Sequence, residues 1–164
     1  MHESSVIQAE SRTEFYHQLT QLTESLVADE SNFIANLSNV SALLNEHLQT
    51  INWVGFYIWH EESNELILGP FQGKPACIRI GKGRGVCGTA VASRKIQVVT
   101  DVNQFTGHLA CDAASQSELV VPLFKGDRLV GVLDVDSPVV GRFDEADAQG
   151  LCEVARVLME ACEM

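Results

Sequence analysis

Apolar residues recur at three- and four-residue spacing through Phe15, Leu19, Leu22 and Leu26, which predicts an amphipathic helix. Ser11-Arg12-Thr13-Glu14 fits a capping box just ahead of it, a hydroxyl and a carboxylate that satisfy backbone donors of the first turn. After Asp29-Glu30-Ser31, the series Phe33, Leu37, Val40, Leu44 and Leu48 predicts a second helix. Each stripe needs a partner surface, either a sheet of the same domain or another copy of the chain.

From Asn52 the period changes to two. Trp53, Gly55, Tyr57 and Trp59 fall on one face, and Val54, Phe56 and Ile58 on the other. Both faces are apolar, as in a covered central strand. Glu61-Glu62-Ser63-Asn64 makes a turn, a second strand runs from Glu65 to Leu68 and stops at Gly69-Pro70, and Ala76 to Ile80 is a third. A short helix over Val86 to Arg94 precedes a strand from Ile96 to Thr100.

The stretch Asp101 to Ser117 then shows no element. Connections longer than about 12–15 residues in compact domains tend to be functional or disordered, and the well-formed flanks favour function. Leu119 to Phe124 and Leu129 to Val135 read as a hairpin turning at Lys125-Gly126-Asp127-Arg128, where Gly126 tolerates a positive φ. Asp144 caps a last helix with Ala148, Leu151, Cys152, Ala155, Leu158, Met159 and Cys162 on its inner face. Helices, a run of strands with short turns, then a helix predict an α+β fold with a mostly antiparallel sheet.

The 164 residues make one domain, with residues 1–10 the one stretch expected to be disordered and 11–164 folded. A net charge of −11 without a basic cluster argues against nucleic acid and anionic membranes as partners. The N-terminus lacks the basic and apolar regions of a signal peptide, and no segment reaches the ~18 apolar residues of a membrane span, so the expected compartment is the cytoplasm. There, five cysteines in one domain read as packing, metal-binding or reactive thiols rather than static crosslinks.

Cys152 and Cys162, on the apolar stripe of the last helix, read as small buried hydrophobes. Cys77, Cys87 and Cys111 lie in or beside glycine-rich or polar segments, where a thiolate can form. Their spacing does not suit a metal: structural zinc sites pair ligands about two to four residues apart, and the gaps here are far longer. Thiol–disulfide chemistry needs only that Cβ atoms approach to about 4 Å. Gly83-Arg84-Gly85-Val86-Cys87-Gly88 matches G-x-G-x-x-G, but the helix behind it is too short for a dinucleotide crossover, and a tight loop carrying Cys87 is the better reading.

Glu118, Asp134 and Asp136 flank or interrupt apolar runs, and the two aspartates share one strand face. That face meets either water or a pocket. In a pocket, crowding and burial would raise at least one pKa and leave a carboxyl able to donate a proton at neutral pH. Trp53 and Tyr57 share a strand face and serve as core or as ligand walls. His108, three residues before Cys111, is either a plain loop histidine or a neighbour that stabilises a thiolate.

PACIRIGKGRGVCGTA, TDVNQFTGHLACDAASQSELVVPL and GDRLVGVLDVDSPVVGRFDEAD together closely resemble the free methionine-(R)-sulfoxide reductases, which are GAF domains. The resemblance runs from about Asn52 to the last helix. It implies a single GAF domain that reduces free, not protein-bound, methionine-(R)-sulfoxide without a bound cofactor or metal. By the same resemblance Cys111 is the nucleophile, Cys77 the resolving cysteine and Cys87 a third, auxiliary cysteine. Glu118, Asp134 and Asp136 become the pocket acids, with Trp53 and Tyr57 as the aromatic wall.

The implied cycle passes through a sulfenic acid on Cys111 and a disulfide with Cys77, recycled by thioredoxin or another dithiol. Pairing of GAF domains through their terminal helices implies a homodimer. Two rivals stand beside this reading: a GAF small-molecule sensor, and a thiol redox switch that turns over no substrate.

Overall fold

The structure is a computed structural model that describes residues 6–109 and 111–164. The expectation for residues 1–10 falls half outside them; residues 6–9 form neither helix nor strand. Two helices, α1 (Arg12–Val27) and α2 (Phe33–His47), lead into β1 (Trp53–His60), β2 (Glu65–Gly73) and β3 (Arg79–Gly81). Then come α3 (Gly85–Ser93), β4 (Gln97–Val99), a 3-10 turn over Val102–Gln104, β5 (Ser117–Lys125), β6 (Arg128–Ser137) and α4 (Glu145–Ala161). The six strands form one antiparallel sheet in the order β3-β2-β1-β6-β5-β4. The fold is α+β, and β1, apolar on both faces, lies in the interior of the sheet as its pattern requires.

The two faces of the sheet are covered differently. Val54 and Phe56 of β1, with Leu119, Val121, Leu133 and Val135, pack against the stripes of α1, α2 and α4 to make the larger core. Each such side chain, fully buried, contributes about 1.5–3 kcal/mol relative to exposure. On the other face Trp53, Tyr57, Val120 and Val132 meet the short helix α3 and the segments around it. This thinner cover is where loops can reach the sheet.

Local chemistry explains the departures from the expected boundaries. The strand expected to stop at Gly69-Pro70 continues to Gly73, because the register shift between Gly55 and Tyr57 puts Pro70 at a bulge, where its missing N–H costs no ladder bond. The third strand is only Arg79–Gly81 instead of Ala76 to Ile80, although Ile78 still accepts from Leu68 N at 2.9 Å. The stretch read as featureless begins with the 3-10 turn, capped by Asp101, and ends by entering β5 at Ser117.

The helix caps also differ from expectation. Only half of the box at α1 forms: Ser11 accepts from Glu14 N at 3.1 Å, while the Glu14 carboxylate takes Glu10 N instead of Ser11 N. The complete box is at α4, where Asp144 and Asp147 cap each other's backbone. Asp147, 1% exposed, also accepts from Tyr16 Oη at 2.6 Å and meets Arg12 and Arg142. Burial works against its charge, but the Tyr16 and backbone donors and the two guanidiniums together hold its pKa below the ordinary value. Tyr16 lies against Gly150 so closely that a Cβ there would come within 2.0 Å of the ring. Cys152, expected inside, is exposed: it follows Leu151 by about 100° of helix rotation and leaves the buried stripe. Cys162 is buried as expected.

Candidate functional site

Strand register brings the three acids together. Glu118 of β5 pairs directly with Asp136 of β6, and Asp136 pairs on its other side with Trp53 of β1. Asp134 lies two residues along β6, on the same face. That face lines a pocket: Glu118 is 7% and Asp134 6% exposed, Asp136 is half-buried, and all three acids meet one cavity with Trp53, Tyr57, Cys87, His108 and Cys111. Asp134 Oδ1 and Asp136 Oδ1 have no hydrogen-bond partner among the described residues.

Burial without compensating cations raises the pKa of all three carboxyls. Glu118 is pushed up to about 8, first by desolvation and then by the neighbouring charge of Asp136. Asp134 and Asp136 rise well above the usual carboxylate range for the same causes. Glu118, with a pKa of about 8, is therefore mostly protonated at neutral pH, and the two aspartates are shifted in the same direction.

The cysteines divide as two and one. Cys77, in the segment before β3, and Cys111, in the segment before β5, form a disulfide with Cα atoms 5.4 Å apart. Cys87, in the first turn of α3, is buried, with Sγ 3.9 Å from Glu118 Oε1. Burial and the adjacent acids push its thiol well up, so the helix N-terminus does not make it a thiolate at neutral pH.

Neighbouring groups hold the disulfide over the acids. The aromatic wall does so from one side: Tyr57 Oη donates to Cys77 O at 3.0 Å and Trp53 Nε1 to Lys74 O at 3.1 Å. Trp53 also stacks on Phe71 at 5.1 Å and on Tyr57 at 5.9 Å. On the other side Asn52 Nδ2 donates to Asp112 Oδ2 at 3.0 Å and Ser115 Oγ at 3.1 Å, clamping the chain just past Cys111. With both sides fastened, the cavity is only about 30 Å³, room for one or two waters.

All eight residues singled out from the sequence for this site therefore line it or bridge it. His108 does not serve as a cation for Cys111. Its Nε2 lies 3.6 Å from Glu118 Oε2, and burial lowers its pKa, so a neutral imidazole faces a carboxyl at pH 7. The clamp of Asn52, Asp112 and Ser115 escaped the sequence reading. Polar residues at Asn52 and Asp112, next to the aromatic strand and the cysteine, were its only signal. Three groups of metal-ligating type, Cys87, Glu118 and Asp134, have ligand atoms within 4.8 Å of one another, a proximity that the cysteine spacing gave no sign of.

A GAF domain model matches residues 32–162. The free methionine-R-sulfoxide reductase of Escherichia coli is 53% identical over 148 residues, covering 90% of this chain and 88% of that protein. Among solved structures, the free methionine-R-sulfoxide reductase of Neisseria meningitidis in complex with its substrate superposes with a TM-score of 0.93 at 45% identity, covering 98% and 95% of the two chains. The reduced form of fRMsr of Staphylococcus aureus gives a TM-score of 0.86 at 50% identity, covering 97% and 99%. With this identity across nearly its whole length, the chain belongs to the GAF-domain family and, within it, to the free methionine-R-sulfoxide reductases.

Proposed function

We propose that this protein reduces free methionine-(R)-sulfoxide to methionine, with Cys111 as nucleophile, Cys77 as resolving thiol and the buried carboxyls as binding and proton-donating groups. The observation that carries the reading is the Cys77–Cys111 disulfide lying across a pocket lined by three raised-pKa carboxyls. Family membership supplies the substrate: the E. coli and Neisseria relatives bear the name of this activity.

The chemistry follows from the protonation states. The Cys111 thiolate attacks the sulfoxide sulfur while Glu118, with a pKa near 8, donates a proton to the oxygen. An acid is most effective when its pKa lies near the working pH, which suits Glu118. Sulfur–oxygen cleavage releases methionine and leaves Cys111 as a sulfenic acid. The Cys77 thiol attacks that sulfur, water leaves, and the disulfide remains. An external dithiol, thioredoxin in this reading, takes the two oxidising equivalents and restores both thiols.

Neutral acids also ease a conflict. Ionised carboxylates would repel the Cys111 thiolate, and the upward shift of all three toward the neutral form lessens that repulsion. The partnerless oxygens of Asp134 and Asp136 can donate to the sulfoxide when protonated, or accept from the substrate ammonium when ionised. Trp53 and Tyr57 wall the pocket and hold the Cys77 segment. Cys87 is an auxiliary thiol beside Glu118. The reading includes a cytoplasmic setting and a homodimer built on the terminal helices, and it needs no metal or bound cofactor.

The test is direct. Purified protein, free methionine-R-sulfoxide and a dithiol are combined and methionine is measured. Methionine should form with wild type and not with Cys111→Ser; turnover that survives Cys111→Ser refutes the assignment. A redox switch would form the disulfide with peroxide but release no methionine, and a sensor would do neither.

A further inference from the structure

The Cys77–Cys111 cycle leaves Cys87 without a redox partner, yet its Sγ, a Glu118 oxygen and an Asp134 oxygen all lie within 4.8 Å of one another. A tetrahedral zinc ion with bonds of about 2.0–2.3 Å sets its ligands about 3.3–3.8 Å apart. Cys87 Sγ and Glu118 Oε1 are already at 3.9 Å, so closing the set takes a contraction of about 1.5 Å at most. His108 Nε2 lies 3.6 Å from the other Glu118 oxygen, Oε2, and stands outside this three-residue cluster. A second observation also points to a ligand: Asp134, 6% exposed, has an oxygen with no hydrogen-bond partner among the described residues. Arg84 is the one permanently cationic side chain in the pocket lining, so little there repels a positive ion.

We propose that Cys87, Glu118 and Asp134 bind a thiophilic divalent cation such as zinc(II), which occupies the pocket in competition with substrate. A thiolate with two carboxylates forms a donor set that suits zinc or cadmium over magnesium or calcium. The cavity fits an ion even when the disulfide is closed. The coordination stands on geometry alone; the competition rests on the function proposed above.

Cadmium(II) is the probe, because its bond to a thiolate gives an ultraviolet charge-transfer band. In disulfide-bonded protein the free thiols are Cys87, Cys152 and Cys162, and Cys152→Ser removes the exposed one. Titration of this Cys152→Ser protein should give the band with one equivalent of cadmium. Adding Cys87→Ser should abolish it, and Asp134→Asn or Glu118→Gln should weaken binding at least tenfold. The same titration of phosphine-reduced protein that also carries Cys77→Ser and Cys111→Ser, and so neither turns over substrate nor offers a second thiol pair, should show the band displaced by methionine sulfoxide. A band that survives Cys87→Ser, affinity unchanged in both carboxyl variants, or no band in either redox form overturns the site. A Cys87-dependent band that methionine sulfoxide leaves untouched overturns the competition. The methionine assay is scored separately, so failure of the metal site and failure of the reductase reading are distinguishable.

Discussion

Glu118→Gln should make the protein more stable while damaging its chemistry, and the effect should depend on pH in a defined direction. The folded-state pKa of Glu118 is about 8 against an ordinary 4.5, so between these values the folded protein holds a proton that the unfolded chain releases. Stability must therefore fall as pH rises through this window, and become level below 4.5 and above 8. One such group gives a slope of about 1.4 kcal/mol per pH unit, which over 3.5 units amounts to about 5 kcal/mol, of which about 3 kcal/mol is already lost at pH 7. Glutamine keeps the shape and cannot titrate. Urea unfolding of the disulfide-bonded protein at pH 5, 6, 7 and 8 should show wild type weakening across the series and Glu118→Gln weakening less, by up to one proton's slope. Asp134 and Asp136 add to the wild-type decline in the same direction. Parallel curves for the two proteins, or wild type gaining stability from pH 5 to 8, would refute the claim that Glu118 is held neutral.

Further measurements probe the supports of the site. Asn52→Ala removes both donors to Asp112 and Ser115, worth about 2 kcal/mol locally, and should slow single-turnover disulfide formation about tenfold with circular dichroism unchanged. Gly150→Ala forces a Cβ against the Tyr16 ring at 2.0 Å and should cost about 3 kcal/mol, read as a Tm about 10 °C lower. Asp147→Asn breaks a buried charge network and should cost about 3 kcal/mol at pH 7. Because the Asp147 pKa is depressed, that difference should shrink as pH falls through its folded-state value in acid unfolding curves. Titration calorimetry of the disulfide-bonded protein with methionine sulfoxide should give no heat of binding, and phosphine reduction should restore it.

How much of this was legible beforehand depends on the range of the interaction. Local periodicity placed the helices and the central strand, since a stripe such as Phe33 to Leu44 has one way to bury its apolar side. Pairing was harder: Pro70 reads as a strand terminator until the bulge opposite Gly55 is seen, and a bulge is a property of two strands. Asp134 and Asp136 were visibly on one face, but whether it met water depended on what α3 and the 105–116 segment cover. The bond from Cys77 to Cys111 spans 34 positions, and motif resemblance, not spacing, anticipated it. The salt-bridge network at Asp147 left no mark, because isolated charges on α1, α4 and the preceding loop look like solvated surface until they converge. Cys152 was misplaced by a single helical step.

The sulfur bridge over the acids acts as a turnstile. In the proposed cycle, once it closes, a chamber that holds a water or two excludes methionine, so the spent enzyme is not clogged by its own product. In that cycle the next sulfoxide enters only after an electron donor has visited from outside. Such a cycle would tie throughput to the supply of reducing equivalents, and when that supply runs short the closed bridge would shield Cys111 from further oxidation.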